Sequence, residues 1–501
     1  MKKFLLSLVA LAATMSLSAQ EIKTGGWNAT FTPVEKAEDM GAVHVAQAGD
    51  GSVYVSSIYS QALTFGSTNV AAPEISGSRV IVKYNEKGEA QWAVSLHGAA
   101  SVTAMVADED GTLYAAGAYQ DEVAIKGADG AESTLAAGGM GFILKIAADG
   151  KVALQKTFTS VANADIEASF AYFPEDGDIY FTPTILKISG DKLYVGANYT
   201  GDVAELGWKG AYVDVFGLMY MDNRSKGIFS LSKSDLAGAA NVAYAQVKGS
   251  VSEDQHFPDA FNFVVENGKV YTFLYGFGNL VVTTADGEQS VQFSTDDEGN
   301  NEHGIALVKV DGSNAEPTLF HAAISDAPLG ATYSIADAEV LDGVAIIGGT
   351  FYGDFPLTED KESNEFDAAY VAAIDLSTGA VKWNRKKDEA SVGNCMVVTG
   401  EEVHAITTLG MTAFKTATGD VTEEVTMKGD DAAAYGDAYA AVVYADGVAV
   451  SVMTPEMNIT SVQAIKATSS VDAPAFNLAG QAVGADYKGI VIKGGKKILQ
   501  K

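Results

Sequence analysis

Short apolar runs alternate with turns rich in Gly, Asp and Asn along most of this chain. Within the runs, apolar and polar positions often follow each other with a period of two, whereas the spacing of an amphipathic helix is rare. The chain contains 52 Gly and only 10 Pro, and Asp-Gly or Asn-Gly pairs separate many of the runs. Such pairs supply the positive φ angles of tight hairpin turns. The pattern therefore predicts an all-β protein built from antiparallel hairpins.

One unit of this pattern recurs along the chain. Each copy has an apolar strand, a polar turn and a second strand. One position in this second strand recurs in every copy, and we expect the residues that occupy it to lie on equivalent inner strands. That position is occupied by Tyr54, Tyr114, Tyr194, Tyr271, Ile346, His404 and Val450. Most copies continue with a second hairpin, as in "YVAAIDLSTGAVKWNRK" (370–386). Successive four-stranded sheets are typical of a radial array, so the sequence predicts a seven-bladed β-propeller over residues 20–466, with six blades as the alternative.

Tryptophans mark how these sheets should pack. Trp92 and Trp383 occupy the same place in the second hairpin of two copies, and Gly379 forms the turn before Trp383. We expect both rings to wedge against a neighbouring sheet. The last copy has three strands, "YAAVVY" (439–444), "GVAVSVM" (447–453) and "NITSVQAIK" (458–466), and lacks a fourth. The segment "GWNATFTP" (26–33) is an additional strand that contains Trp27 and could complete it. Pairing of these two ends would close the ring and remove free edges.

The two ends of the chain predict processing and a separate module. Residues 1–19 combine Lys2 and Lys3 with an apolar run and small residues, which is typical of a secretory signal peptide. No other run is long and apolar enough to span a bilayer. At the other end, a polar linker (467–475) precedes a small β-module (476–501). We therefore expect an exported protein, located on the cell surface, in the periplasm or in the medium.

Charge and composition exclude several classes of function. The chain has 33 Lys and Arg against 64 Asp and Glu, a net charge of −31, which argues against nucleic acid as a partner. The single cysteine, Cys395, allows no intramolecular disulfide. The 6 histidines show no metal-ligand spacing, and "DEDG" (108–111) lacks the further ligands of a calcium loop. We expect no metal, no cofactor and no catalytic residue, and we expect a monomer.

Two insertions carry the candidate binding residues. The first, residues 163–183, places aromatic rings beside acidic side chains, and the second, residues 209–227, adds further rings. Loops on a rigid scaffold often carry function, and such rings suit stacking on sugars; the alternative is that they cover the edge of a sheet. The candidate ligand-binding residues are Phe170, Tyr172, Phe173, Tyr180, Phe181 and Tyr220.

The spacing Ala373-x-Asp375-x-x-Thr378-Gly379-x-x-x-Trp383 resembles the tryptophan-docking repeat of quinoprotein-like β-propellers. Units such as "DEDGTLYAAGAY" resemble propeller repeats of exported bacterial proteins. The resemblance implies the propeller fold. Quinone dehydrogenases of this fold use adjacent cysteines, and the isolated Cys395 argues against that activity. The segment 476–501, with Lys496 and Lys497 near its end, resembles a short C-terminal sorting domain of Bacteroidetes, which implies type IX export; a basic hairpin tail is the alternative.

These observations predict a class of function rather than a ligand. We expect an exported, non-enzymatic β-propeller that binds an unidentified protein or a glycan at the cell envelope. The alternative is a carbohydrate-active enzyme that uses carboxylates around the central channel. Two carboxyl groups about 5–9.5 Å apart in an open cleft would favour that alternative.

Overall fold

The computed structural model contains two compact units, Met1–Pro455 and Glu456–Lys501. Within the described residues the fold is all-β, and the only helical segment is a single 3₁₀ turn, Ala204–Leu206. None of these residues forms a helix long and apolar enough to cross a membrane. The structure describes residues 28–35, 42–66, 68–163, 179–210, 212–215, 218–221, 225–248, 250–251, 261–293, 303–323, 332–354, 357, 363–388, 392–398, 402–407, 410–426, 439–445, 447–453, 475–477, 482–483, 489–493 and 496–500.

Seven antiparallel sheets, numbered here 1 to 7 along the chain, follow one another in the described part of the first unit. Sheets 1 to 6 are built from consecutive hairpins, and the third strand of sheet 7 comes from the N-terminus. The strands, from first to last in each sheet, are His44–Gln47, Val53–Ile58, Arg79–Tyr84 and Ala90–His97 (sheet 1); Ala100–Ala107, Leu113–Tyr119, Gly141–Ile146 and Val152–Phe158 (sheet 2); Phe181–Ser189, Lys192–Tyr199, Ser225–Ser232 and Ala240–Lys248 (sheet 3); Phe261–Glu266, Lys269–Phe277, His303–Asp311 and Asn314–Ala323 (sheet 4); Asp337–Leu341, Val344–Asp354, Ser363–Asp375 and Val381–Asp388 (sheet 5); Val392–Val398, Glu402–Thr407, Gly410–Lys415 and Val421–Thr426 (sheet 6); and Tyr439–Ala445, Gly447–Met453 and Asn28–Phe31 (sheet 7).

Aspartates form the hairpin turns. Asp50 Oδ1 accepts the backbone N–H of Ser52 at 2.8 Å, and Asp110 Oδ1 accepts that of Thr112 at 2.9 Å. The glycine after Asp110, Gly111, has a φ of 78°, which an L-residue with a side chain adopts only at a cost. These acidic side chains therefore stabilise turns, as the pattern predicts.

Extra hairpins, which the sequence pattern did not separate from the main strands, extend two of the sheets. Each lies between the second and third strands of one sheet and pairs with the fourth strand of the preceding sheet. Val123–Lys126 and Glu132–Leu135 extend sheet 1, and Asn279–Thr284 and Gly287–Gln292 extend sheet 3. The remaining short strands of the first unit are Leu63–Phe65 with Thr68–Val70, Tyr212–Val215 with Leu218–Met221 and Ser250–Val251, and Thr332–Tyr333, which pairs with the second strand of sheet 5.

The first strands of neighbouring sheets lie side by side. The first strand of sheet 1 contacts those of sheets 7 and 2, and the series continues in order through sheets 3, 4 and 5 to sheet 6. The recurring position that Tyr54 occupies in the first copy lies on the second strand of every sheet, one strand away from this inner row. The residues from Tyr54 to Val450 are therefore equivalent in the structure, as predicted, but the prediction of inner strands was wrong because the first strands form the inner row.

Trp92 and Trp383 join neighbouring sheets. Both rings are buried, and each indole Nε1 donates to a carbonyl in the turn between the third and fourth strands of the next sheet. The acceptors are the carbonyls of Ala148 for Trp92, at 2.9 Å, and of Thr416 for Trp383, at 2.8 Å. The repeat therefore places its tryptophan where it covers the turn of the following repeat.

A glycine in that following turn makes room for the ring. A Cβ atom on Gly419 would lie 2.6 Å from the Trp383 indole, and one on Gly150 would lie 2.8 Å from that of Trp92. Gly379 lies in the equivalent turn of sheet 5, with a φ of 72°, and the side chain it faces is Leu307 of sheet 4. The glycine that the Trp383 ring packs against is therefore Gly419 of the next repeat and not Gly379 of its own repeat.

The N-terminal strand Asn28–Phe31 pairs antiparallel with Gly447–Met453, with Phe31 opposite Val450. This pairing of the two ends agrees with the sequence prediction, although the N-terminal strand takes the third position of sheet 7, directly beside its second strand. Phe31 is buried, and its ring centroid lies 5.3 Å from that of Phe65. Trp27 and the segment 458–466, predicted as a further strand of the last copy, lie outside the described residues.

The second unit contains a four-stranded sheet of its own. Its strands are Ala475–Asn477, Ala482–Val483, Gly489–Lys493 and Lys496–Gln500, and the first of them pairs with both the second and the third. The last two strands form a hairpin in which Ile492 lies opposite Lys497. The segments predicted as signal peptide (1–19) and linker (467–475) lie outside the described residues, apart from Ala475.

Candidate functional site

The first strands of sheets 1 to 5 surround a cavity of about 350 Å³. Each of these strands is the inner edge of its sheet. Successive side chains along a strand point to opposite faces of the sheet. The wall therefore combines aliphatic and polar groups. It is lined by His44, Val45, Thr103, Ala104, Met105, Val106, Ala107, Thr184, Ile185, Leu186, Lys187, Ile188, Asn262, Val264, Val265, Ala336, Asp337, Ala338, Glu339 and Val340.

Side chains connect the first strands around this cavity. The hydroxyl of Thr103 in sheet 2 donates to the carbonyl of Pro183 in sheet 3. The amide of Asn262 in sheet 4 donates to the carbonyl of Ala336, at 3.2 Å, immediately before sheet 5. An inner edge strand has backbone groups without a partner in its own sheet, and such groups are costly when buried. These bonds satisfy several of them and fix the spacing of the strands.

A cluster of three charged groups lies in the cavity wall. Lys187 Nζ donates to Glu339 Oε1 at 2.6 Å and to the carbonyl of Ala338 at 2.7 Å, and it lies 3.9 Å from Asp337 Oδ1. Lys187 belongs to sheet 3 and its partners to sheet 5, so the contact joins two sheets that do not follow one another along the chain. The two carboxylates share one ammonium, and the cluster holds a net charge of −1 when all three groups are ionised.

Asp337 is fixed on both sides. Its Oδ2 accepts the backbone N–H of Met396 in sheet 6 at 2.7 Å, and its Oδ1 accepts the N–H of Ala338 at 2.8 Å. Charge-assisted bonds of this kind are stronger than bonds between neutral groups. The carboxylate is therefore held in one orientation at the edge of the cavity.

His44 lines the cavity from the first strand of sheet 1. Burial of the ring, together with the nearby positive charge of Arg79, lowers the pKa of His44 to about 4. Arg79 is itself buried, which lowers its pKa, and its Nε donates to the carbonyl of Ala100 at 3.0 Å. At neutral pH the imidazole is uncharged, so it does not offset the negative charge of the cluster.

The lowered pKa of His44 predicts an acid-dependent loss of stability. Between about pH 6.5 and pH 4 the unfolded chain binds a proton at His44 that the folded chain does not bind, so the free energy of unfolding falls as the pH falls. The contribution of His44 at pH 4.5 is about 2–3 kcal/mol relative to pH 7.5. Urea unfolding of the wild type and of His44→Leu at both pH values measures it.

Leu cannot titrate, so the stability difference between the two proteins should change by that amount between the two pH values. Carboxylates elsewhere titrate in both proteins and cancel in the comparison. A difference that stays constant with pH would contradict a His44 that is neutral in the folded protein at these pH values.

The structure describes only part of the predicted aromatic site. Phe170, Tyr172 and Phe173 lie outside the described residues. Phe181 is fully buried, with its ring stacked on Phe158 at a centroid distance of 5.1 Å, so its ring has no surface that a ligand could contact.

The other two aromatic candidates have different surroundings. Tyr180 is half-buried, and its backbone exchanges hydrogen bonds with Thr200. Tyr220 lies in the strand Leu218–Met221, and its side chain lies outside the described residues. The binding role of this group remains a prediction.

The bases of the two insertions are held together by Asp202. Its Oδ1 accepts hydrogen bonds from the Asn163 amide at 3.1 Å and from the backbone N–H of Gly210 at 2.9 Å. Its Oδ2 accepts a bond from Lys209 at 2.7 Å. Burial alone would raise the pKa of Asp202, but these hydrogen bonds outweigh it and the pKa is lowered. Residue 163, which begins the first insertion, and residues 209 and 210, which begin the second, therefore lie close together.

Sequence reasoning missed the charged cluster in the cavity. A signal was present, because Lys187 interrupts the apolar run "TILKIS" and Asp337 and Glu339 alternate with alanines in "ADAEVL". Residues at i and i+2 of a strand lie on one face, so this alternation places the two carboxylates on the same face of their strand. Their meeting with Lys187, 150 positions before Asp337, depends on the arrangement of three sheets. Among the described residues, no group of three His, Cys, Asp or Glu side chains could hold a metal ion.

Comparison with known proteins shows no family. No family model matches the chain, and no curated protein matches it. Among solved structures, BamB from Moraxella catarrhalis is 11% identical, with 85% of this chain and 99% of that chain covered and a TM-score of 0.36. The β-propeller domain of the Trilobed protease from Pyrococcus furiosus is 7% identical, with 92% and 98% covered and a TM-score of 0.37.

A third similar structure is the quinohemoprotein alcohol dehydrogenase from Comamonas testosteroni, which is 11% identical, with 83% of this chain and 76% of that chain covered and a TM-score of 0.36. Solved structures similar to this chain thus include a β-propeller domain. At such identities and TM-scores the similarities carry no argument about what this chain binds or does.

Proposed function

We propose that the first unit is a seven-bladed β-propeller closed by its N-terminal strand. Three features of the chain itself support this. Seven sheets repeat along the chain, the first strands of sheets 1 to 6 adjoin in sequence order, and the first strand of sheet 7 lies beside that of sheet 1. The pairing of Asn28–Phe31 with Gly447–Met453 ties the chain ends into one sheet. Closure of this kind protects sheet edges.

We further propose that this protein is exported and binds a small polar ligand, in the first instance a sugar unit of a glycan, in the cavity between its first strands. The observation that carries the proposal is the cavity itself. Its volume of about 350 Å³ lies within the usual range of ligand sites, and a few fixed polar groups interrupt its apolar wall. Sugars offer the same combination of hydroxyl groups and apolar ring faces.

A carbohydrate-active enzyme is the alternative, and Asp337 and Glu339 are the carboxylates that it would use. Both contact the ammonium of Lys187, so their nearest oxygen atoms are separated by no more than the sum of 2.6 and 3.9 Å. That separation is compatible with a glycosidase pair. However, both groups are engaged in ion pairs, and Asp337 also accepts two backbone N–H groups. This arrangement favours binding over acid catalysis.

The test is retention on a panel of immobilised polysaccharides, with released products measured in the same samples. We expect retention without product. Thr184→Phe places a large ring in the cavity and should weaken retention at least about tenfold. Ala153→Phe places the same ring on the exposed fourth strand of sheet 2 and should leave retention unchanged.

Each contrary outcome has a distinct meaning. Release of sugars would favour the enzyme. The triple variant Tyr172→Ala, Phe173→Ala and Tyr180→Ala tests the 163–183 insertion. If retention survives Thr184→Phe but is lost in this triple variant, the binding site lies in the insertion. Retention on none of the polysaccharides would overturn the glycan proposal and leave a protein partner.

The proposal of export rests on the two ends of the chain. Residues 1–19 have the composition of a signal peptide, and the small C-terminal sheet would act as a type IX sorting module. Expression with and without residues 476–501 in a host that has this secretion system tests the second part. We expect loss of surface display without the module. Equal display of both forms would contradict a sorting role.

A further inference from the structure

Three side chains of the cavity wall already donate hydrogen bonds within the protein. Thr103 and Asn262 each donate to a backbone carbonyl of the next sheet or its approach, and Lys187 of sheet 3 donates to the carbonyl of Ala338 and to Glu339 in sheet 5. A group that makes these bonds can serve a ligand only by giving them up, and an abandoned buried acceptor costs free energy. These three side chains therefore have little to offer a ligand that needs donors.

The described side chains of the wall carry more negative than positive charge. Asp337 and Glu339 bring two carboxylates, each with about four lone-pair sites, whereas Lys187 is the one cationic side chain among the described residues of the wall. Asp337 is held in place by backbone N–H groups, so its orientation does not depend on a ligand. Interactions between charges are stronger in a cavity with apolar walls than in water.

We propose that the ligand of this cavity carries a protonated primary amine, and that in a glycan it is an amino sugar whose amine is free rather than acetylated. The proposal rests on the proposed function, because it assigns a ligand class to the same site. An ammonium group supplies three hydrogen-bond donors and one positive charge, which complement the carboxylates of Glu339 and Asp337. An anionic ligand would have to compete with both carboxylates for Lys187.

Binding of matched ligands to the wild-type protein tests this directly. Isothermal titration calorimetry measures binding of glucosamine, galactosamine and mannosamine, and of the N-acetyl form of each sugar. 1,4-Diaminobutane is measured as well, because it carries amines without a sugar ring. The comparison separates the effect of the charge from that of the sugar shape. We expect at least one amino sugar to bind at least about tenfold more tightly than its N-acetyl form, which corresponds to about 1.4 kcal/mol.

Replacement of one carboxylate tests the assignment to the cavity. Glu339→Gln keeps the shape of the side chain and removes its charge, and it should reduce the preference for the amine to less than about threefold. Glu316→Gln is the matched control, because Glu316 also pairs with a lysine, Lys309, at 2.8 Å but lies at an exposed site in sheet 4. This control should retain the full preference, and melting curves show that both variants fold.

The outcomes separate this inference from the proposed function. Equal binding of amine and N-acetyl forms would overturn the inference and leave the glycan proposal standing. Binding of 1,4-diaminobutane without any sugar would support the amine and overturn the glycan. No binding of any probe to the wild type would overturn both.

Discussion

A chain that begins at residue 35 unfolds at a markedly lower temperature than the chain that begins at residue 20, with a loss of at least about 4 kcal/mol in the free energy of unfolding. The truncation removes the third strand of sheet 7 and the buried side chains of Phe31 and Val34. Loss of one buried Phe side chain alone costs about 3–5 kcal/mol. It also removes the bond from Ser60 N–H to the carbonyl of Pro33, at 3.0 Å.

Removal of residues 472–501 is the matched control, because it deletes a longer segment from the second unit. We expect the melting temperature of the first unit to change little in differential scanning calorimetry. At the level of single residues, Phe31→Ala should reproduce most of the loss, whereas Thr32→Ala, at an exposed neighbouring position, should not. Equal tolerance of both truncations would refute closure by the N-terminal strand.

Trp92→Ala lowers the free energy of unfolding by about 3–5 kcal/mol, the range of large-to-small changes at buried aromatic residues. The ring is 6% exposed, packs against the turn that contains Gly150 and donates to the carbonyl of Ala148. Truncation therefore leaves a cavity between sheets 1 and 2 and an acceptor without its donor. Equilibrium unfolding in urea measures the effect.

The adjacent residue provides the control. Gln91 lies exposed on the same strand, and Gln91→Ala should change the stability by no more than about 0.5 kcal/mol. Trp92→Phe keeps most of the ring but loses the indole N–H, so its cost should lie between those of the two alanine variants. A Trp92→Ala protein within about 1 kcal/mol of the wild type would mean that this ring does not connect the sheets.

Local pattern predicted the hairpins because their turns depend on residues close in sequence. Asp110 and Gly111 form the turn that their types favour, and the alternation of Tyr114 with smaller residues places it on the second strand. The same reasoning found the N-terminal strand, because an edge strand without a partner is unfavourable. It placed that strand one position too far out, since residues 458–466 were counted as a strand of the last copy.

Contacts between repeats were harder to predict. The motif around Trp383 suggested Gly379 as part of one local unit, yet the glycine beneath the ring is Gly419 of the next repeat. The charged cluster has the same origin, since Lys187 meets Glu339 only because three sheets place their first strands around one cavity. Sequence periodicity gives the fold of each sheet, but the distance between residues on different sheets follows from the packing of all of them.

The most direct test of the binding cavity is a crystal structure of the full chain grown with a saturating concentration of the amino sugar that binds most tightly. We predict ligand density between the first strands of sheets 3 and 5, with the amine within hydrogen-bond distance of Glu339 and the sugar ring beside Thr184. An empty cavity in crystals whose ligand is ordered elsewhere, or first strands that leave no space between them, would contradict the account.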